Sequence, residues 1–408
     1  MTKRIAVIGA GAAGTMAAIA AAGAGAEVVL LERTRDGGRK ILISGGGRCN
    51  VLPARLDETR FVTDSSPHTL RKLLRSWPLA EQVAFFERDL GLPLVEEPES
   101  GKLFPRSDRA RDVRDGLLAL AARRGARLVP NAPVAGLARG PDGWRVVLEH
   151  GAPVEADAVV VATGGLSVPS TGSDGRGLSM LAGLGHTVHP TYPALTPITC
   201  EPALFAGLSG VSLPVTITAR DLTRRATATG GFLFTHRGYS GPAVLDVSHV
   251  LVRARLEARA DATLTVRWVP GVDAEGWDER LRGDGLRTVL GVLRRELPER
   301  LAARHAAEAG VPADRPLPQL RREERRALVA ALAGFTLPWT GDEGYRKAEV
   351  TGGGVDLGEV DPRTMESRIA PGLFLCGELL DAFGPIGGYN FCWAWATGRA
   401  AGQGAAAV

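Results

Sequence analysis

Short apolar runs bounded by glycine or charge recur along this chain, at Ile5-Ala6-Val7-Ile8, Val28-Val29-Leu30-Leu31, Ala158-Val159-Val160-Val161 and Leu373-Phe374-Leu375. Runs without polar alternation are the pattern of strands buried on both faces, as in a parallel sheet covered by helices. Between the early runs, 67–77, 80–89 and 110–124 read as helices, and 127–130 and 144–149 as further strands. From about Thr196 the pattern shifts to short β-type segments at 211–219, 226–235 and 262–269, which predicts an antiparallel or barrel-like unit. From 275 to 334 it turns helical and rich in Arg, Ala and Leu, with a proline-containing break at 311–318. Glycine and β character return at 349–355, a strand follows at 372–378, and a small-residue helix runs from about Asn390 to Ala401.

The first apolar run leads directly into Gly9-Ala10-Gly11-Ala12-Ala13-Gly14, then a small-residue helical stretch, then the second run, which ends on Glu32. Strand, glycine turn, helix, strand and terminal acid together make the dinucleotide-binding fingerprint. The first glycine permits the tight turn, the second lets a pyrophosphate reach the backbone, and the third lets helix and strand pack closely. Unpaired amides and the positive dipole end at a helix N-terminus favour the anion. Glu32 is placed to accept hydrogen bonds from a ribose diol. The element order thus predicts an α/β protein with a discontinuous Rossmann-like domain, a parallel sheet with helices and a β-meander, at 1–195 plus 346–408. A β-barrel-like unit is inserted at 196–274 plus 335–345, carrying a helical cap at 275–334.

Lys3 and Arg4 before the uncharged run 5–26 also resemble a signal peptide, but the run is mostly Ala and Gly and carries the fingerprint glycines. No other stretch approaches the roughly 20 apolar residues that span a bilayer, so a soluble cytoplasmic protein without membrane contact is expected. The net charge of +4 is small for 408 residues, and lysine occurs only at 3, 40, 72, 102 and 347. Arg321-Arg322 and Arg325-Arg326 are interleaved with Glu323 and Glu324, a solvated helix face, so no nucleic-acid site is expected. The four cysteines form no CxxC and no zinc spacing, which excludes a redox dithiol or structural metal from the expectations.

Three more clusters bear on chemistry. The loop Gly38-Arg39-Lys40 to Ser44-Gly45-Gly46-Gly47-Arg48-Cys49-Asn50 offers free backbone and positive charge beside phosphate or ring carbonyls. The strand end Ala162-Thr163-Gly164-Gly165 can pass close to the adenine-ribose half of a dinucleotide, with 172–177 opening the next helix. Near the C-terminus, Gly377-Glu378 and Asp381 supply carboxylates for polyol hydroxyls, and Gly387-Gly388-Tyr389-Asn390 opens a helix whose amides would face a flavin carbonyl.

Gly45-Gly46-Gly47-Arg48-Cys49-Asn50, Phe104-Pro105-Arg106-Ser107, Ala162-Thr163-Gly164-Gly165, Thr235-His236-Arg237-Gly238-Tyr239-Ser240-Gly241-Pro242 and the stretch from Thr364-Met365-Glu366-Ser367 to Asn390 occur in this order. Together they resemble a bacterial family of FAD-dependent oxidoreductases, largely uncharacterised flavoproteins that include a bile-acid 3-dehydro-4,6-ene reductase. The resemblance spans residues 4 to about 402. It implies FAD held by Gly9, Gly11, Gly14, Glu32, Arg39, Lys40, Asn50, Gly164, Glu378 and the turn Gly388 to Asn390. Ala12, Ala13, Arg33, Gly38, Ser44, Gly46, Gly47, Arg48, Cys49, Val134, Ala162, Thr163, Gly165, Gly377, Asp381 and Gly387 complete the candidate cofactor set. Where relatives carry an Asp-rich turn, this chain has Ala382-Phe383.

A second complete nucleotide fingerprint is absent from the sequence, so NAD(P)H as electron donor would bind transiently at the flavin. The expected reaction is hydride transfer to an electron-poor C=C bond of a small apolar substrate, with Tyr389, His236 or Tyr239 as proton donor. The alternatives are a flavin-binding redox sensor, an RNA-modification partner, or an FAD-dependent oxidase or hydroxylase.

Overall fold

The four apolar runs become strands of one sheet. In the computed structural model of the protein, which describes residues 2–140, 143–282 and 287–407, they stand in the order Leu373–Leu375, Ala158–Val161, Arg4–Ile8, Glu27–Leu31, followed by Arg127–Val129. Every pairing is parallel, and Ile5 stands beside Val28 on one side and Ala158 on the other. The strands Arg4–Ile8 and Ala158–Val161 are buried almost throughout, as their unbroken apolar character requires.

The helix Ala12–Gly23 and the closing helix Tyr389–Ala407 pack against each other. A Cβ on Gly398 would lie 2.3 Å from the Ala13 carbonyl oxygen, and one on Gly402 would lie 2.2 Å from that of Ala17. Two helix backbones approach this closely only through small residues. The shared Ala/Gly composition of the first and last helices therefore reflects their mutual packing as well as any common ligand. An antiparallel meander, Val134–Gly140, Gly143–Leu148 and Val154–Ala156, and a small sheet of Leu52–Pro53, Lys102–Pro105 and Leu94–Glu97 complete this part.

The chain divides into two units, Met1–Tyr192 with Glu349–Val408, and Pro193–Ala348. In the second, seven strands form an antiparallel sheet from Phe335–Thr336 through Thr263–Arg267, Ser212–Arg220, Arg225–Phe234, Gly238–Ser240 and Ile198–Thr199 to Gly341–Asp342. Its edge strands are not paired to each other among the described residues, so the order is that of an open sheet. The helix Pro242–Leu256 covers one face. Its buried positions Val244, Val247, Val250 and Val252 are β-branched, and the sequence pattern assigns no element to this stretch between the β-type segments 226–235 and 262–269. The helices Ala274–Leu281, Val289–Leu293, Glu299–Glu308 and Arg322–Ala333 bring Trp277, Leu301 and Leu328 into the same core as Ile217 and Trp268 of the sheet. The stretch expected as a separate cap thus shares one apolar interior with the sheet. Its positions 283–286 lie outside the described residues.

Candidate functional site

Three glycine turns, from the start, middle and end of the chain, meet at the carboxyl edge of the parallel sheet, the edge where such folds bind ligands. Gly9 holds φ +100° and donates its N–H to the Leu31 carbonyl at 2.8 Å; a Cβ there would lie 2.6 Å from the Ala162 carbonyl oxygen. A Cβ on Gly14 would lie 1.8 Å from the Gly9 carbonyl oxygen. A Cβ on Gly377 would lie 2.8 Å from the Ala13 Cβ, so the last turn abuts the first helix. Gly377 is fixed by its N–H donating to Thr397 Oγ1 at 3.0 Å and by Trp393 Nε1 donating to its carbonyl at 3.1 Å.

The basic loop joins this convergence through one side chain. Lys40 Nζ donates to Glu378 Oε2 at 2.6 Å and to Ser167 Oγ at 2.5 Å, and Ser167 Oγ donates to Glu378 Oε1 at 2.5 Å. Thr351 N–H donates to the same Oε1 at 3.0 Å, while Thr351 Oγ1 accepts from Leu166 N–H and Ser167 N–H at 2.7 and 3.1 Å. This network ties four distant segments together. Ser167 follows closely on the Ala162-Thr163-Gly164-Gly165 motif, while Thr351 carries no motif that would have marked it in the sequence, because its partners arrive from far along the chain.

Glu349 was also missed. It stands just before the strand Val350–Val355 that carries Thr351. Burial pushes its carboxyl above the usual range, Lys40 and Lys102 pull it back, and Glu378 adds to the rise. Glu349 is nonetheless solvent-accessible at the residue level. Lys102 passes 3.7 Å from where a Gly387 Cβ would stand, beside the turn that opens the closing helix.

The remaining candidates divide by what they touch. Ala12 and Ala13 begin the first helix, which takes no side-chain cap from Gly11. Glu32 is buried, and accepts from Ala10 N–H at 2.9 Å, Thr34 N–H at 2.8 Å and Thr34 Oγ1 at 2.6 Å. Three of its roughly four lone-pair sites are used, leaving room for a further donor. Gly38 N–H donates to the Ala10 carbonyl at 2.8 Å, which sets the basic loop on the opening turn. Arg39 pairs with Asp36 at 2.9 Å, and Arg33 with Asp174 of the 172–177 turn.

Ser44 Oγ donates to the Ile41 carbonyl at 2.8 Å, and Gly46 and Gly47 follow with positive φ. Arg48 lies over the Phe104 ring at 4.0 Å and pairs with Glu97 and Asp108. Cys49 is fully buried, and burial pushes its thiol up to about 12, which leaves no thiolate at neutral pH. Asn50 adjoins Gly45, and Val134 is buried at the start of the meander.

Gly164 and Gly165 press on Ser173 and Thr351. Gly387 and Gly388 hold positive φ, and a Cβ on Gly388 would stand 2.4 Å from the Leu52 carbonyl carbon. The Asn390 amide is clamped on Gly384, accepting from its N–H and donating to its carbonyl at 2.9 Å each. Asp381 is taken up elsewhere: one oxygen accepts from Asp64 N–H, Ser65 N–H and Ser65 Oγ, each at 2.8 Å, so this carboxylate holds the 63–65 segment. The Tyr389 hydroxyl donates to the Arg55 carbonyl at 3.3 Å. In the second unit, Tyr239 is fully buried and donates to the Pro338 carbonyl at 2.9 Å, with burial pushing its hydroxyl up, while His236 is exposed.

Over residues 3–404 the sequence matches the HI0933-like protein Rossmann domain. The chain belongs to the HI0933-like family. That family is one of FAD-dependent oxidoreductases. A ribosomal RNA dihydrouridine synthase of Escherichia coli (strain K12) is 34% identical over 409 residues, covering 97% of this chain and 96% of that protein. A 3-dehydro-bile acid delta(4,6)-reductase of Clostridium scindens is 33% identical over 412 residues, covering 99% of each. Among solved structures, 3-ketosteroid delta1-dehydrogenase from Sterolibacterium denitrificans shares the fold at a TM-score of 0.54 and 14% identity over 100% of both chains.

The HI0933-like cradle in this chain fits FAD on its own geometry. A Cβ on Gly11 would meet no atom within 4 Å, so the backbone there borders open space at an uncapped helix start. Thr163 Oγ1, beside the middle turn, is buried with no hydrogen-bond partner. No described helix is long and apolar enough to cross a membrane.

Proposed function

We propose that this chain reduces a carbon–carbon double bond made electron-poor by conjugation to a carbonyl, with NAD(P)H as the transient electron donor. The observation that supports it best is the kinship with two relatives whose names describe the same change. A bile-acid delta(4,6)-reductase and a dihydrouridine synthase both saturate a C=C bond conjugated to a carbonyl. FAD bound at the cradle would supply the hydride chemistry.

The chain's own groups divide the remaining work. The amides at Gly11 and Ala12 would hold the pyrophosphate, and Glu32 would take a ribose hydroxyl. The Lys40–Glu378–Ser167–Thr351 network holds the three turns in register. For the proton, Glu349 serves better than the three residues expected from sequence. The Tyr389 and Tyr239 hydroxyls are bonded to backbone carbonyls, and His236 lies on an exposed turn of the second unit. A carboxyl pushed above its usual range stays protonated closer to neutrality, as a general acid requires.

Two substrate classes share this chemistry. A small apolar enone follows the bile-acid relative and the sequence expectation. A uracil ring in ribosomal RNA follows the dihydrouridine synthase, and on that reading the expectation of no nucleic acid gives way. The test is anaerobic incubation of the FAD-loaded protein with NADH or NADPH, offering a 4-ene-3-ketosteroid in one arm and an unmodified ribosomal RNA transcript in the other. Saturated product, read by mass spectrometry, in either arm supports the proposal and names the class. Rapid oxygen consumption in air, with no saturated product in either arm, overturns it in favour of an oxidase.

A further inference from the structure

The second unit carries an exposed sheet face that none of the chemistry above uses. Along Ser212–Arg220 the inward residues Leu213, Val215, Ile217 and Ala219 are buried in the core, so alternation turns Thr216, Thr218 and Arg220 outward. Thr229 stands opposite Thr216, and Thr227 opposite Thr218, each pair joined Oγ1 to Oγ1 at 2.9 Å. On the other side, Arg267 stands opposite Thr216 and Thr265 opposite Thr218. The result is a field of threonine hydroxyls with arginines at its two ends.

The charges on this field are one-sided. The strands Ser212–Arg220, Arg225–Phe234 and Thr263–Arg267 contain no Asp or Glu. The carboxylates nearest in sequence, Asp221 and Asp261, lie at the hairpin end, and Asp221 is already held by Arg224 at 2.9 Å. Most arginines near carboxylates elsewhere in the chain are paired, as Arg145 is to Glu155 and Arg255 to Asp342. Arg220, Arg225 and Arg267 are exposed, and none forms an ion pair among the described residues. Arg220 moreover stands directly opposite Arg225, and like charges at facing positions are destabilising. A bound polyanion would turn that repulsion into attraction.

We propose that this face grips the sugar-phosphate backbone of RNA, the arginines on phosphates and the threonine hydroxyls on phosphate or 2′-hydroxyl oxygens. The proposal rests on the ribosomal-RNA reading of the substrate. Charge complementarity selects the occupant. Four residues of strand separate Arg220 from the position opposite Arg267, about 14 Å, so the cations are strung out along the field and suit an extended polyanion better than a single small anion. No aromatic side chain stands on the outward rows of these three strands to stack a base, so the contact positions RNA without reading its sequence. Leu222, 81% exposed at the hairpin tip, is a lone apolar residue, too little for a membrane-inserting surface.

The experiment measures binding of an unmodified ribosomal RNA transcript to the full-length FAD-loaded protein as a function of salt. It compares the parent with the triple variant Arg220→Gln, Arg225→Gln, Arg267→Gln, and with Arg145→Gln as a paired-arginine control. The triple variant is expected to bind at least tenfold more weakly at moderate salt. Its log–log salt slope should be shallower by about 2, at roughly 0.7 per lost phosphate contact on single strands. Its flavin spectrum and its rate of flavin reduction by nicotinamide should match the parent, and the control should bind like the parent. Equal affinity and slope in parent and triple variant overturn the inference while leaving the RNA reading intact. A parent that neither binds nor modifies the transcript sinks both. Parent binding to phosphatidylglycerol vesicles that the triple variant loses, with RNA affinity unchanged, assigns the face to an anionic membrane instead.

Discussion

Gly11 and Gly14 sit three positions apart and are required for different reasons. Gly11 has an ordinary φ of −78°, and a Cβ on it would touch nothing within 4 Å. The fold itself therefore tolerates a side chain there; only a ligand in that space would not. Gly14 has no such freedom, since its Cβ would fall 1.8 Å from the Gly9 carbonyl oxygen. Gly11→Val should accordingly yield a protein with near-parental thermal stability and no flavin absorbance on purification. Gly14→Val should lose about 3 kcal/mol or more of stability, or fail to fold, from overpacking. A yellow, fully loaded Gly11→Val protein would contradict the assignment of the opening turn. These glycines were legible because their spacing is local. The role of Lys40 was legible only as nearby positive charge: its partner Glu378 lies 338 residues away, and no local pattern announces such a pair. The partners of Asp381 were hidden for the same reason, since the amides it accepts from are those of Asp64 and Ser65.

Among the elements, strands announced themselves by continuous apolar runs, and helices by amphipathic spacing. The helix Pro242–Leu256 escaped because it is buried along most of its length and rich in valine. The helix Glu299–Glu308 hides a further property that its sequence does not advertise. Its His305 is fully buried between Trp268 and Phe335, with ring centroids 5.3 and 5.4 Å away. Both ring nitrogens lack a hydrogen-bond partner, and the Glu308 carboxylate at 3.7 Å is too distant to supply one. Burial, with Arg304 adding to it, lowers its proton affinity to a pKa of about 4. Well above pH 6.5 His305 is neutral folded or unfolded and contributes no pH dependence. As pH falls from 6.5 toward 4 the unfolded chain takes up a proton that the folded chain refuses, and stability drops by about 3 kcal/mol across that window. Urea unfolding at pH 7.5 and pH 4.5 should show a larger loss for the parent than for His305→Leu. Parallel losses in the two proteins would mean that this histidine is not the acid-sensitive element.

At the scale of the whole molecule, the sequence pointed to a cofactor-binding part split by an insertion, because the last strand and helix resemble the first. The structure supplies the physical reason the split is tolerable. The two apolar cores share no residue: one runs from Ile5 to Ala405 while skipping the insertion, and the other from Ile198 to Leu337. The chain leaves and re-enters the first unit at neighbouring points. The strand Val188–Ala194 pairs with Val350–Val355, and Gly352 lies so close to the Tyr192 ring that a Cβ would stand 2.2 Å from it. A short Gly/Ser linker can therefore bridge 192 to 349 without strain, since closing a loop of a few residues costs less than closing the long one it replaces. All three glycine turns and the Lys40–Glu378–Ser167–Thr351 network lie on the retained side. The excised protein should fold, copurify with FAD, and gain about 2.7 kcal/mol of stability at a hundredfold excess of FAD over its Kd. It should have lost RNA binding, because the insertion carries the arginine–threonine face. A soluble, folded product that takes up no FAD would show that the cradle is incomplete without the second unit, and the two cores, though separate in composition, would then be one functional body.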